Sequence, residues 1–100
     1  MDVLFEWDIK KASKNEAKHK INFEESSTVF NDPLACIFDD PIHSLEENRE
    51  IIIGHSISGM LLVVCFTERR KDTVRIISAR KASRKERKDY ENYAKFQKRG

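Results

Sequence analysis

With three glycines, two prolines and two cysteines in 100 residues, this chain lacks the pieces from which several kinds of site are built. Its glycines stand at Gly54, Gly59 and Gly100, so no glycine-rich loop can cradle a phosphate, and neither G-x-S-x-G nor H-E-x-x-H occurs. Cys36 and Cys65 lie in separate apolar, strand-like stretches, with no C-x-x-C and no other ligands clustered near them. Two buried, reduced thiols are the expectation, with neither a disulfide nor a metal. The histidines are scattered in the same way: His43 falls in a polar loop and His55 near a strand end, so both read as incidental, and no metal ion or other cofactor is expected. No apolar run approaches the ~18 residues of a membrane span. The start MDVLFEWD has neither the basic nor the apolar region of a secretion signal, and the expected location is the cytoplasm. The length suits one domain over residues 1–100, with 97–100 as a frayed end.

Positive charge is scarce in most of the chain and concentrated in the rest. From Met1 to Glu68 there are 6 Lys and Arg against 13 Asp and Glu, whereas from Arg69 to Gly100 there are 13 against 4. The net charge of +2 thus conceals −7 followed by +9. A basic segment of this kind gains affinity for nucleic acid by releasing condensed counterions.

Taken in order, Val3 to Trp7 is a short apolar stretch that suits a strand or a lead-in coil. Asp8 suits the N-cap of a helix through about His19. Lys11, Asn15 and Lys18, at i, i+4 and i+7, share one face of that helix beside His19. Asn22 and Glu25 open a second helix from Phe23 to about Phe30, which packs on a sheet through its two phenylalanines; Asn31, Asp32 and Pro33 stop it. After Pro33 the pattern becomes that of strands. Leu34 to Phe38 is the first, an acidic loop runs from Asp39 to Asn48, and Arg49 to Ser56 follows with the branched run Ile51, Ile52, Ile53. The carboxylates Asp39, Asp40, Glu46 and Glu47 in the loop argue against nucleic acid on that side. A turn at Ser56 to Gly59 leads into Met60 to Thr67, apolar on both faces and therefore central in the sheet, and a basic turn leads into Thr73 to Ala79. The expected fold class is α+β: an N-terminal helical hairpin, a four-stranded mainly antiparallel sheet and a C-terminal helix. The hairpin covers one face of the sheet, and Arg75 points to the partly open other face if Val74 and Ile76 point inward.

The stretch RIISARKASRKERKDY, Arg75 to Tyr90, is a strand running into a helix capped by the S-x-x-E spacing of Ser83 and Glu86. It displays Arg75, Arg80, Lys81, Arg84, Lys85, Arg87 and Lys88 around Glu86. RNA cleavage without a metal requires a base for the 2′-hydroxyl, cationic donors for the charge building on phosphorus, and an acid for the departing 5′-oxygen. Arg69, Arg75, Arg80 and Arg84 are candidate donors, because a guanidinium matches phosphate geometry and keeps its proton. Glu86 or His19 could be the base, and His19, Lys18 or Tyr90 the acid. The capping spacing gives Glu86 a purely structural alternative.

The order and spacing of several pieces resemble the BrnT family of bacterial type II toxins. They are F-E-W-D at Phe5 to Asp8, K-H at Lys18 and His19, F-E-E at Phe23 to Glu25, V-F-N-D-P at Val29 to Pro33, I-G at Ile53 and Gly54, and R-I-I-S-A-R-K-A-S-R-K-E-R at Arg75 to Arg87. The resemblance implies a fold similar to RelE-type toxins and cleavage of RNA that arrests growth. It also implies a BrnA-like ribbon-helix-helix antitoxin that masks the toxin in a hetero-oligomer and represses their shared operon. The family pattern singles out Asn15, Lys18 and His19, and Ser78, Arg80, Ser83, Glu86 and Arg87. The combined expectation is catalysis by His19, Arg69, Arg80 and Glu86, and RNA binding by Lys11, Asn15, Lys18, Arg75, Arg84 and Arg87. The end of the first helix and the strand-to-helix joint would then form one site. The chain departs from the family at Lys20, where glycine usually follows K-H, and at Gly59-Met60, where a basic residue often follows the glycine. A reading of a different class is a non-catalytic nucleic-acid- or partner-binding module in which the basic helix only docks.

Overall fold

In a computed structural model of the chain, which describes residues 3–40 and 48–99 and side chains as far as Lys95, helical and strand periods separate into layers. Strand β1 (Leu4–Glu6) leads into helix α1 (Ile9–His19), and α2 (Phe23–Ser27) runs on into one 3-10 turn (Thr28–Asn31). Strands β2 (Cys36–Asp39), β3 (Arg49–His55), β4 (Leu61–Arg70) and β5 (Thr73–Lys81) follow, then helix α3 (Arg84–Arg99). Residues 97–99, expected as a frayed end, lie within α3. His43, Glu46 and Glu47 of the acidic loop lie outside the described residues.

Side chains set the helix ends as the sequence suggests. Asp8 accepts the Lys11 N–H at 3.0 Å and Asn22 accepts the Glu25 N–H at 2.7 Å, each satisfying a donor that a helix start leaves without a partner. Helix α1 stops at Lys20, which adopts φ 63° and ψ 26° and donates its N–H to the Glu16 carbonyl. Glycine takes this left-handed conformation freely, whereas a lysine Cβ raises its energy by about 1 kcal/mol. The helix therefore closes here as it would with glycine.

The sheet has the order β1-β5-β4-β3-β2. From β2 to β5 it is the expected antiparallel meander with β4 in the middle. A fifth strand corrects the expected four. β1 pairs parallel with β5, Leu4 opposite Thr73 and Glu6 opposite Arg75, which makes the sheet mixed. Three residues are too few to show a period, and their partner lies at the other end of the chain.

One face of the sheet presents Ile52, Leu62, Val64, Phe66, Val74, Ile76 and Ala79 to Ile21, Phe23 and Val29 of the helical hairpin. Phe30 wedges between Phe66 and Phe5, with ring centroids 5.0 and 5.2 Å away. The opposite face carries Cys36, Ile53, Leu61 and Val63, and α3 lies over these through Tyr90 and Ala94. Thus α3 covers one end of the face expected to be partly open, and no other described element packs over the other end.

Strict alternation along β5 fails at one residue. Cys65 pairs with Ser78 and Phe66 with Ile76, so Ile77 is a bulge with no opposite number. Before it, Val74 and Ile76 face the hairpin; after it, Ala79 does. Had the alternation of Val74, Ile76 and Ser78 continued, Arg80 would have pointed into the hairpin. The bulge turns Ser78 and Arg80 onto the open face.

Candidate active site

The open end of that face forms a cleft of about 420 Å³. Ile51, Val63 and Ile77 supply its apolar floor, Cys65 and Ser78 lie among them, and Arg49, Arg80 and Asp40 complete the lining. Two bends of the chain converge here: the bulge in β5 and the end of β2, where the Asp40 N–H bonds to the Arg49 carbonyl at 3.0 Å. The sequence reading counted Asp40 against nucleic acid on its side of the molecule, yet this residue shares a cleft with Arg80. Its neighbour Asp39 is in register with Glu50, whose carboxyl is pushed up by burial and then by the charges of Glu68 and Asp39.

Arg80 and Glu86 meet in a two-pronged ion pair, Nη1 to Oε1 and Nη2 to Oε2, both 2.7 Å. The same Glu86 closes the capping box: Oε1 accepts the Ser83 N–H at 2.8 Å and the Glu86 N–H donates to Ser83 Oγ at 3.2 Å. The Arg80 hydrogen bonds, with those from Ser83 and against the opposing effect of burial, hold the Glu86 carboxyl at about 2. A carboxylate with so little proton affinity is a poor base for a hydroxyl near neutral pH. What Glu86 does well is fix a guanidinium: Arg80 remains 44% exposed, and Nε–H and one Nη2–H of Arg80 have no partner among the described residues.

A second cationic group lies at the other end of β5. Glu6 accepts a hydrogen bond from Arg75 Nη1 at 2.9 Å and lies 3.9 Å from Arg69 Nε. Arg80 pairs with Val63 and Arg75 with Thr67, a separation of about 13 Å along β4 at ~3.3 Å per residue. Arg69 therefore belongs with Arg75 and not with the Arg80–Glu86 pair. Arg84 and Arg87 are exposed on the first turn of α3.

The end of α1 reaches this region through Asn15. Its amide donates to the carbonyls of Ile21 and Ala79 at 3.1 and 2.9 Å and accepts the Ala79 N–H at 3.1 Å. Past the point where β1 stops, one side chain thus supplies the edge of β5 with the donor and acceptor that a neighbouring strand would provide. Asn15 is 8% exposed, and its polar atoms are taken up by the fold, so it positions α1 beside Arg80. His19, one turn further on the same side, is half-buried with no hydrogen-bond or ion-pair partner among the described residues, and it is not part of the cleft lining. Lys11 and Lys18 are exposed on either side of this inner stripe.

Tyr90, a candidate acid, is committed elsewhere. Its hydroxyl donates to Asp32 Oδ2 at 2.8 Å, and burial together with that bond pushes its pKa up. Asp32 also accepts the N–H groups of His55 and Leu34 at 2.8 and 2.9 Å. Burial opposes its charge, but these bonds keep its carboxyl below the ordinary range. His55 Nδ1 lies 3.2 Å from the Tyr90 oxygen. The network clamps α3 onto the sheet and needs a glycine beside it, since a Cβ on Gly54 would approach Ala35 Cβ to 2.9 Å, Val29 Cγ1 to 3.0 Å and Asp32 Oδ2 to 3.2 Å. The N-D-P and I-G pieces of the sequence are the visible trace of this clamp. Nothing in the sequence pointed to Asp40 as a lining residue.

Residues 7–86 match the family model described as ribonuclease toxin, BrnT, of type II toxin-antitoxin system. This chain belongs to the BrnT family. The matched segment contains every residue of the cleft lining and ends at Glu86, the partner of Arg80. A crystal structure of the Brucella abortus ribonuclease toxin BrnT shares the fold, with a TM-score of 0.62 and 24% sequence identity over 84% of this chain and 99% of that one. Among curated proteins none matches the chain. BrnT membership makes RNA the substrate to consider and an antitoxin the partner to consider. Among the described residues no helix is long and apolar enough to cross a membrane, and no group of three or more His, Cys, Asp and Glu is gathered to hold a metal ion.

Proposed function

We propose that the chain is a metal-independent endoribonuclease whose substrate lies in the open cleft, with Arg80 as the donor to the phosphate that is cut. The observation that carries this reading is the Arg80–Glu86 pair: a guanidinium fixed by two 2.7 Å bonds at the edge of a cleft with an apolar floor. A donor held in place before the substrate arrives needs no reorganisation as charge builds on the phosphorus, which is where such groups contribute most. Glu86 acts in this reading as a positioning residue for Arg80. Arg75, with Arg69 behind it, grips a phosphate further along the strand; Arg84 and Arg87 do so beside α3, and Lys11 and Lys18 beside α1. His19, at the end of α1, supplies the proton to the leaving 5′-oxygen. Production of the chain alone arrests growth, and a BrnA-like ribbon-helix-helix antitoxin covers the basic joint in a hetero-oligomer in the cytoplasm.

Single-turnover cleavage of single-stranded RNA in EDTA, by chain purified free of antitoxin, tests the reading. The wild-type chain cuts the RNA, and Arg80→Ala slows the cut by about 100-fold or more with an unchanged circular dichroism spectrum. Intact RNA with the wild-type chain overturns the proposal; full activity in Arg80→Ala removes that residue from it.

A further inference from the structure

We propose that a groove along the far side of α3 docks an acidic, amphipathic segment of the antitoxin, with an apolar side chain entering between α3 and the start of β2 and carboxylates on either side of it. The proposal rests on the toxin reading above and adds a second contact surface to the basic joint.

The groove has a volume of about 670 Å³ and lies between α3 and the turn of Asp32 and Leu34. It is distinct from the cleft at Arg80. Asp40, in the cleft lining, is six residues beyond Leu34, roughly 20 Å along an extended chain. The helix also stands between the two. Tyr93 meets Phe38 with ring centroids 6.5 Å apart, and Phe38 is in register with Ile51 of the cleft floor, whereas Glu91, nearly opposite Tyr93 on the helix, lines the groove.

Leu34, Tyr90 and Ala94 give the groove an apolar floor. Lys88, Glu91 and Lys95, all exposed on α3, form its wall. The two lysines are two turns apart, ~10.5 Å along the axis, with the carboxylate between them. A nucleic acid carries negative charge at every step and meets Glu91 and Asp32 as well as the lysines. A polypeptide can vary its charge from residue to residue, so a wall reading cation, anion, cation over an apolar floor suits a peptide with an apolar anchor and acidic flanks. Asp32 and His55 also line a smaller hollow of about 290 Å³ that ends at Ile57, so the two hollows form one surface. Ile57 is 83% exposed, and its N–H donates to Thr28 Oγ1 at 2.8 Å. An exposed apolar side chain on a tied turn is already ordered before a partner arrives.

The test uses the full chain and the ribbon-helix-helix antitoxin expressed from their shared operon, purified separately and recombined in a calorimeter. Lys88→Glu with Lys95→Glu weakens the antitoxin Kd at least about tenfold, an effect that shrinks in about 1 M salt. Asn92→Trp, which narrows the groove from the same helix, weakens it by about tenfold at either salt concentration. Cleavage of single-stranded RNA by both variants stays within about threefold of wild type. An antitoxin Kd within about threefold of wild type for either folded variant overturns the docking site, as does a wild-type chain that binds no antitoxin. So does a tenfold loss of RNA binding with antitoxin binding intact, which assigns the groove to RNA. Circular dichroism checks the fold of each variant, and if one fails to fold the other decides. A wild-type chain that binds antitoxin through Lys88 and Lys95 yet leaves RNA intact contradicts the ribonuclease reading and keeps the docking site, which separates the two failures.

Discussion

The two faces of the sheet solve different problems with the same strands. Toward the helical hairpin, Leu62, Val64, Phe66, Val74, Ile76 and Ala79 are buried against Ile21, Phe23 and Val29, and three aromatic contacts seal the layer. Toward α3, among the described residues, one end is packed and the other presents arginines and a carboxylate over an apolar floor. The polar networks differ in the same way. Asp32, Tyr90 and His55 satisfy one another and hold a helix down, while Arg80 and Glu86 leave donors of a fixed guanidinium facing outward. A network that closes on itself serves stability, and one that keeps donors in reserve is prepared for a ligand. The bulge at Ile77 is the device that lets a single strand serve both faces.

This contrast breaks most severely if the closed face is hollowed. Leu62 is 0% exposed, so Leu62→Ala should cost about 3 kcal/mol, whereas Ser78→Ala on the open face should cost less than about 0.5 kcal/mol. Urea unfolding of both variants measures the difference, and similar losses would mean that the open end is packed as tightly as the closed one.

A smaller effect sharpens the roles of the two networks. Because the folded Glu86 carboxyl is held at about 2 against an ordinary 4.5, its ion pair stabilises the protein fully above pH about 5, and that contribution is lost as the pH falls from about 4.5 toward 2. Arg80 stays charged throughout. In Glu86→Gln this part of the stability–pH curve should flatten. The same change frees the guanidinium to wander, so RNA cleavage at neutral pH should fall by roughly tenfold to a hundredfold. An unaltered rate would separate the fixing of Arg80 from catalysis.

The smallest effect is at the exit of α1. Lys20→Gly relieves the left-handed backbone at φ 63° and should raise stability by about 0.5–1 kcal/mol, visible as a higher urea midpoint. A loss of stability would show that the lysine side chain makes a contribution larger than the strain.

Local signals in the sequence were legible where one side chain answers one backbone group. Asp8, Asn22 and the Ser83–Glu86 box cap their helices as the spacing suggests, and the doubly apolar run after Met60 is the central strand. Features depending on distant partners were not. β1 is three residues long and pairs with a strand from the other end of the chain, and the Ile77 bulge is defined only by its register against β4. Of the candidate site, the sequence pointed to Arg80, Glu86 and the end of α1, but grouped Arg69 with Arg80 and placed Asn15 among the RNA contacts. Helical spacing put Asn15 on a polar face; it could not show that the edge of β5 would need its amide. Charge counting along the loop grouped Asp39 with Asp40 and could not show that Asp40 would line a cleft with Arg80, while Asp39 stands in register with Glu50.

The central claim is that the open end of the sheet, re-aimed by the bulge, is where RNA lies. Amide chemical-shift mapping of the ¹⁵N-labelled chain with a non-cleavable 2′-O-methyl RNA tests it most directly. The account predicts shifts concentrated at Arg49, Cys65, Ser78 and Arg80, with Leu62 and Phe23 undisturbed. Shifts concentrated instead around Asp32, Leu34 and His55, with the Arg80 amide unmoved, would contradict it.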